Sequence, residues 1–338
     1  MLKFVSSPAT FVVEEIAAYE PSGEGEHTFL WVEKRGLTTH DAVKRLARAL
    51  DADARDVGYA GLKDRNAVTR QWLSVPRVDP ERALALREPD LIVLVAKRHG
   101  NKLRTGHLRG NRFEVVVTLT DGEAEAQAVS ARLAALAAGG VPNRFGEQRF
   151  GAAGDNAAAG LAILRGERRE RDHRLRKLLL SAAQSAVFNR ALELRAAAPG
   201  GLRTVLTGDV LQKIASGGLF ITEDVAVDQP RVDAGELAIT GPMPGGREKE
   251  PPPGSAARAL EDEALAGVGA TREDFERAGR DLPGARRPYL VPLTLGAPAV
   301  QPEQPGETSV SPAEVTVRLR FGLPSGSYAT VVVAALSG

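Results

Sequence analysis

The chain has 338 residues, 43% of them apolar and 26% charged, with a net charge of +1 and no cysteine. That length allows two domains and a sizeable core. The composition excludes disulfides, a thiolate metal site and a bulk polycation, but not a basic groove, because attraction for phosphates depends on where charges cluster.

No apolar run approaches the length of a membrane span, and residues 1–15 lack the long apolar region of a secretory signal. No internal repeat is visible. Residues 11–16 (FVVEEI) and 27–32 (HTFLWV) read as strands. The Gly-rich turn between them, 20–26, is acidic and would repel phosphate. Thr38 is placed to cap a helix running to about residue 50. Ala42, Val43, Leu46, Ala47 and Leu50 form its buried stripe.

Residues 58–75, GYAGLKDRNAVTRQWLSV, read as two short strands about a polar turn. One carboxylate, Asp64, sits in that turn between Lys63 and Arg65. Neighbouring cations favour a charged carboxylate, which suits a nucleophile. Charged turns of this composition are also ordinary in hairpins, and spacing alone favours that plainer reading.

A strand is expected over 91–96. After it come Lys97, Arg98, Lys102, Arg104, Arg109 and Arg112, with no acidic residue among them. Phosphate contact and a solvated face are evenly matched readings of this run. A strand over 113–119 and an Ala-rich helix over 123–138 follow. Residues 141–151, VPNRFGEQRFG, mix Gly, aromatic and polar residues without either periodicity. Such loops on a scaffold often carry function.

Helices are expected over 156–164 and 172–198, and strands and turns over 202–240. Three consecutive prolines make 242–253 a loop. Residues 260–279 read as one or two helices, with Thr271 and Asp274 a capping pair. The stretch 296–312 reads as a linker. Residues 315–321 alternate apolar and polar positions, as in a strand with one buried face. The segment 322–330, GLPSGSYAT, follows it.

The stretches 11–16, 58–75, 141–151 and 322–330 together resemble, in order, motifs of the TruD family of tRNA pseudouridine synthases. Arg144 departs from the pattern, standing where the family has an aromatic residue. The resemblance implies an α+β fold. It comprises a catalytic domain with a mixed, largely antiparallel sheet, plus an inserted α/β domain. With the change in composition after residue 155, it suggests a catalytic domain over 1–155 and 305–338 around an insertion over 156–304.

The implied activity is isomerisation of a uridine, at position 13 of tRNA, to pseudouridine. No cofactor or metal is called for, tRNA is the partner, no protein partner is implied, and the expected location is cytoplasmic. Asp64 is implied as the catalytic carboxylate, attacking uracil or ribose or abstracting a sugar proton. Phe11, Asn143 and Tyr328 fall where the family contacts the base. Asn offers a donor and an acceptor to a uracil edge, and the rings offer stacking faces.

Phe145 lines that pocket or packs. Lys63, Arg65 and Arg149 are candidates to hold Asp64 ionised or to bind phosphate. The run Lys97, Arg98, Lys102, Arg104, Arg109 and Arg112 is expected on the RNA backbone. The rival from another class is an RNA-binding or RNA-folding factor on the same scaffold. A metal-dependent nuclease is weaker, because no second carboxylate lies at useful spacing in the Asp64 turn.

Overall fold

The structure, a computed structural model, describes residues 2–303 and 314–337. The chain divides into two compact units. Residues 1–140 and 292–338 form the first, and 141–291 the second. The breaks fall at Gly140/Val141 and Val291/Pro292, whereas the expected insertion spans 156–304. The second unit claims 141–151 because its backbone is paired there, as described below.

The chain opens with β1 (Leu2–Lys3), β2 (Phe11–Ala17), β3 (His27–Arg35) and α1 (Thr39–Ala49). Next come β4 (Gly58–Tyr59), β5 (Val68–Pro76), α2 (Pro80–Leu84), β6 (Leu91–His99), β7 (Leu108–Leu119) and α3 (Gly122–Gly139). The second unit holds β8 (Val141–Pro142), α4 (Asn156–Leu164), α5 (His173–Ala197), β9 (Val210–Lys213), β10 (Leu219–Ile221) and α6 (Val225–Asp233). It continues through β11 (Leu237–Met243), α7 (Ala256–Gly267), α8 (Arg272–Arg277), β12 (Ala285–Pro288) and β13 (Leu290–Val291). The chain then returns to the first unit as β14 (Thr294–Pro302), β15 (Val315–Pro324) and α9 (Ala329–Leu336).

The first unit is built on a nine-stranded sheet in the order β14-β15-β7-β2-β5-β3-β6, with β1 beside β7 and β4 beside β5. Only the β2–β5 pairing is parallel among the described strands. On one face, Leu30, Val32, Leu73, Val75, Leu91 and Val93 pack with Ala42, Val43 and Leu46 of α1. Thr38 caps that helix in a full capping box with Asp41. On the other face, Glu33, Arg70, Glu14 and Arg112 stand in register across four adjacent strands, alternating in sign and ion-paired in succession.

β15 pairs with β7 along its whole length, from Val315 to Pro324. Its buried residues alternate as their sequence requires.

In the second unit the long helix α5 carries the core. Leu179, Leu180, Ala183 and Val187 meet Leu161, Ile163 and Leu164 of α4, with Leu265 and Phe275. Beside it lies a four-stranded sheet, β10-β9-β11-β12. The expected capping box of Thr271 and Asp274 is present at α8.

Three expectations need correction. The stretch read as strands and turns contains the helix α6, capped by Asp224 and carrying Pro230 within it. The first part of the stretch read as a linker is β14, a strand paired with β15; 304–312 lies outside the described residues. β14 is an edge strand with an irregularity between Leu295 and Val300, which is where a sheet tolerates Gly and Pro. The strand read as ending at Val32 continues to Arg35, and this brings Lys34 into the sheet.

Candidate active site

β2 and β5 run together only from Val12/Val68 to Glu14/Arg70. β4 then takes over as the neighbour of β5, pairing Gly58 with Ser74 and Tyr59 with Leu73. Gly58 allows that approach. A Cβ there would lie 2.3 Å from the carbonyl oxygen of Leu103 and 2.5 Å from Ser74 Oγ. The segment from Ala60 to Ala67 joins the two strands and carries Asp64.

This turn is held at several points by polar groups. Gln71 Nε2 donates to the carbonyl of Gly61 at 3.1 Å, and the main-chain N–H of Lys63 donates to Thr39 Oγ1 at 2.9 Å. Thr39 in turn donates to Gln71 Oε1 at 2.9 Å. The Lys34 ammonium donates to the carbonyl of Asp64 at 3.0 Å and to that of Leu37 at 2.5 Å. Ser6 Oγ donates to the carbonyl of Asn66 at 2.9 Å. Asp64 itself is exposed. A reactive group on a turn fixed this way loses little freedom when substrate binds.

Two residues that flank Asp64 in sequence differ in placement. Lys63 is turned inward, its ammonium 2.8 Å from Glu15 Oε2, the two side chains only 3% and 1% exposed. Lys63 thus faces the sheet while Asp64 faces solvent. Its charge is therefore committed to Glu15. Burial pushes the Glu15 carboxyl up, with Lys63 opposing. Arg65 is exposed, with no ion pair among the described residues.

Phe11 is 4% exposed and stacks on Phe113 with ring centroids 6.1 Å apart. Phe4 meets it edge-on, and Phe113 continues to Phe321. Its surroundings are those of a core residue. Tyr328 is half-buried at the start of α9, on the turn that leaves β15. The C-terminal motif therefore belongs to the same sheet as the Asp64 turn.

Asn143, Phe145 and Arg149 lie in the second unit. The Asn143 main chain donates to Tyr289 O at 2.8 Å beside the β8–β13 pair. Its side-chain Nδ2 donates to Pro288 O at 3.0 Å, and its Oδ1 accepts from Arg287. Both ends of the amide are engaged, each with one further bonding position. The Arg287 guanidinium lies 4.2 Å from the Phe145 ring centre, and Phe145 packs edge-on against Phe188. Arg149 donates to Ser185 Oγ at 3.0 Å. Arg144 pairs with Glu193 at 2.5 Å.

The cationic run is dispersed. Lys97 and Arg98 pair in register with Phe29 and Thr28, at the end of β3 away from Lys34. Lys34 lies five residue steps along the strand from Phe29, about 17 Å at the usual rise. Lys102 donates to Arg55 O at 2.8 Å, and Arg112 pairs with Glu14 at 3.0 Å. Arg104 and Arg109 are exposed. Arg109 and Arg112 line a cleft of about 550 Å³ where β14 departs from β15, with Arg320, Glu114 and Leu295.

Sequence reasoning missed Glu15, Lys34 and Thr39. Two of the signals were present. Phe11, Val13 and Glu15 alternate onto one buried face, as do Thr28, Leu30, Val32 and Lys34. A charged residue on the apolar phase of a strand is out of pattern, and such residues need partners.

A family model described as "tRNA pseudouridine synthase D (TruD)" matches residues 3–171 and 169–336 of the chain. The tRNA pseudouridine synthase D of Anaeromyxobacter dehalogenans (strain 2CP-C) is 46% identical over 338 residues, covering 98% of this chain and 91% of that protein. The protein of that name from Thermus thermophilus is 42% identical over 326 residues, covering 96% of this chain and 85% of its own. Among solved structures, a putative tRNA pseudouridine synthase D from Methanosarcina mazei superposes with a TM-score of 0.76 at 23% identity, covering 96% of this chain and 91% of that one.

Proposed function

The chain belongs to the TruD family of tRNA pseudouridine synthases, and from that premise we propose that Asp64 is the carboxylate with which it isomerises a uridine of tRNA, position 13 by resemblance, to pseudouridine. The reaction breaks the N1–C1′ bond, turns the uracil and joins C5 to C1′. It is redox-neutral and adds no water, so an acid–base or nucleophilic group is the chemistry required of the protein.

The observation that carries this reading is the exposed Asp64 on a turn tethered at Gly61, Lys63, Asp64 and Asn66 by side chains from β5, α1, β3 and the N-terminal segment. A carboxylate held so can meet C1′, uracil C6 or a sugar proton only after the base leaves its stack. Tyr328 is the proposed stacking partner for that base. Phe11, in its aromatic row, backs the pocket rather than stacking on the base. Arg65 and the exposed members of the 97–112 run contact phosphates. No described helix is long and apolar enough to cross a membrane. We place the enzyme in the cytoplasm with its tRNA substrate.

The test is an Asp64→Asn protein assayed for pseudouridine in tRNA and for tRNA affinity. Asparagine keeps the shape but supplies neither nucleophile nor base. Product formation should vanish while affinity stays within a few fold. Turnover by the purified variant would remove Asp64 from the mechanism.

A further inference from the structure

Lys34 has no exposed surface. It lies near the end of β3, in register with Thr69 of β5 on one side and Leu91 of β6 on the other, so its backbone is pinned between two strands. Its ammonium donates to the carbonyls of Leu37 and Asp64, and no carboxylate pairs with it among the described residues. Thr69, across from it, keeps a buried hydroxyl without a partner. The groups bonded to the ammonium are thus polar but uncharged. An ammonium buried without a bonded carboxylate is costly, and a chain need not carry one to close a strand.

The polar contacts of Lys34 do two things. One bond fixes the β3–α1 connection at Leu37. The other reaches across 30 positions of sequence to the main chain of the residue that bears the reactive carboxylate. We propose that Lys34 is a positioning residue for the isomerisation: its ammonium fixes the carbonyl of Asp64, and so the direction in which the Asp64 carboxylate leaves the turn, without touching RNA. The proposal rests on the reading of Asp64 as the catalytic carboxylate.

The charged groups facing Lys34 are Asp64 and Lys63 from the turn and Asp41 from α1; Lys63 is neutralised by Glu15. Burial pulls the Lys34 ammonium down to about 8, and the charge of Asp64 is the largest influence opposing this. The side chain is thus charged at neutral pH and loses its proton on the alkaline side. An amine is a weaker donor than an ammonium, so the Asp64 tether should slacken there.

The experiment uses the full-length protein, with the initial rate measured over a range of tRNA concentrations. In Lys34→Met the rate at saturating tRNA should fall at least tenfold, with KM for tRNA within twofold of wild type and an unchanged circular dichroism spectrum. Lys34→Gln, which keeps a neutral donor, should recover part of the loss. The wild-type rate should decline with a midpoint near pH 8, and that limb should be missing from Lys34→Met.

A folded Lys34→Met with wild-type rate, or with its whole defect in KM, would overturn the proposal. Should Lys34→Met fail to fold, the Lys34 ammonium can be titrated by NMR in wild type and in the nearly isosteric Asp64→Asn. Its midpoint should drop when the Asp64 charge is removed, and an unmoved midpoint rejects the coupling. The two readings fail separately. An active Asp64→Asn defeats the catalytic assignment, whereas an inactive Asp64→Asn beside a fully active Lys34→Met defeats only the role of Lys34.

Discussion

Lys63 and Glu15, 48 positions apart in sequence, meet at 2.8 Å beneath the turn that carries Asp64. Neither is available to solvent, and Glu15 also accepts from the main-chain N–H of Trp72 at 3.3 Å. This pair ties β2 to the turn from below, as Lys34 ties β3 to it.

Removing one member of such a pair leaves a buried charge without compensation, which costs about 3–5 kcal/mol. Glu15→Gln and Lys63→Met should each destabilise the protein by that order in urea denaturation. The double variant Glu15→Gln/Lys63→Met, which keeps an acceptor for the Trp72 N–H, should lose clearly less than the sum of the two single losses, because no unpaired charge is then left buried. Additive losses in the double variant would show that the pair is not coupled.

Lys34 predicts a dependence of stability on pH. Its folded-state value of about 8 lies below the ordinary 10.5 because of burial. Between those values the unfolded chain holds more protons than the folded one, so stability rises with pH through that window. The slope has a ceiling of about 1.4 kcal/mol per pH unit. The difference in unfolding free energy between wild type and Lys34→Met, measured at pH 7.5, 8.5 and 9.5, should show this rise. A constant difference would mean that Lys34 titrates normally.

The dispersed cations predict an uneven response to salt. Lys97, Arg98, Lys102 and Arg104 neutralised together should weaken tRNA binding and reduce the slope of log affinity against log salt. The reduction is about 0.7–0.9 for each phosphate that the variant no longer neutralises. Arg112→Gln should change the slope less than Arg109→Gln, because Arg112 already pairs with Glu14 at 3.0 Å. Equal slopes for the quadruple variant and wild type would make the run a solvated face.

Tyr328 should act through its ring. Stacking of a base on an aromatic side chain is worth about 1–3 kcal/mol, so Tyr328→Ala should cost about ten- to a hundredfold in kcat/KM at unchanged thermal stability. Tyr328→Phe should retain most activity. If the two variants fail equally, the hydroxyl rather than the ring is what matters.

What could be read along the chain was whatever short-range physics dictates. The capping boxes at Thr38 and Thr271 are each written within four residues. The strand 315–321 declares its buried face by alternation, and the Asp64 turn by its charges. The order of the motifs pointed to the family without any tertiary information.

What the tertiary structure decided was which distant groups meet. The Glu15 carboxylate on Lys63, the Lys34 ammonium on the carbonyl of Asp64 and Arg287 on Asn143 span 48, 30 and 144 positions. Each depends on strand register and chain return, which no local pattern encodes. The edge strand β14 was misread for the same reason. Its Gly and Pro look like a linker until β15 pairs with it. A side chain buried on the wrong phase of a strand, such as Glu15 or Lys34, signals that a partner must exist. Only the packed sheet supplies it, because burying a charge is tolerable solely where the fold brings a compensating group within bonding distance.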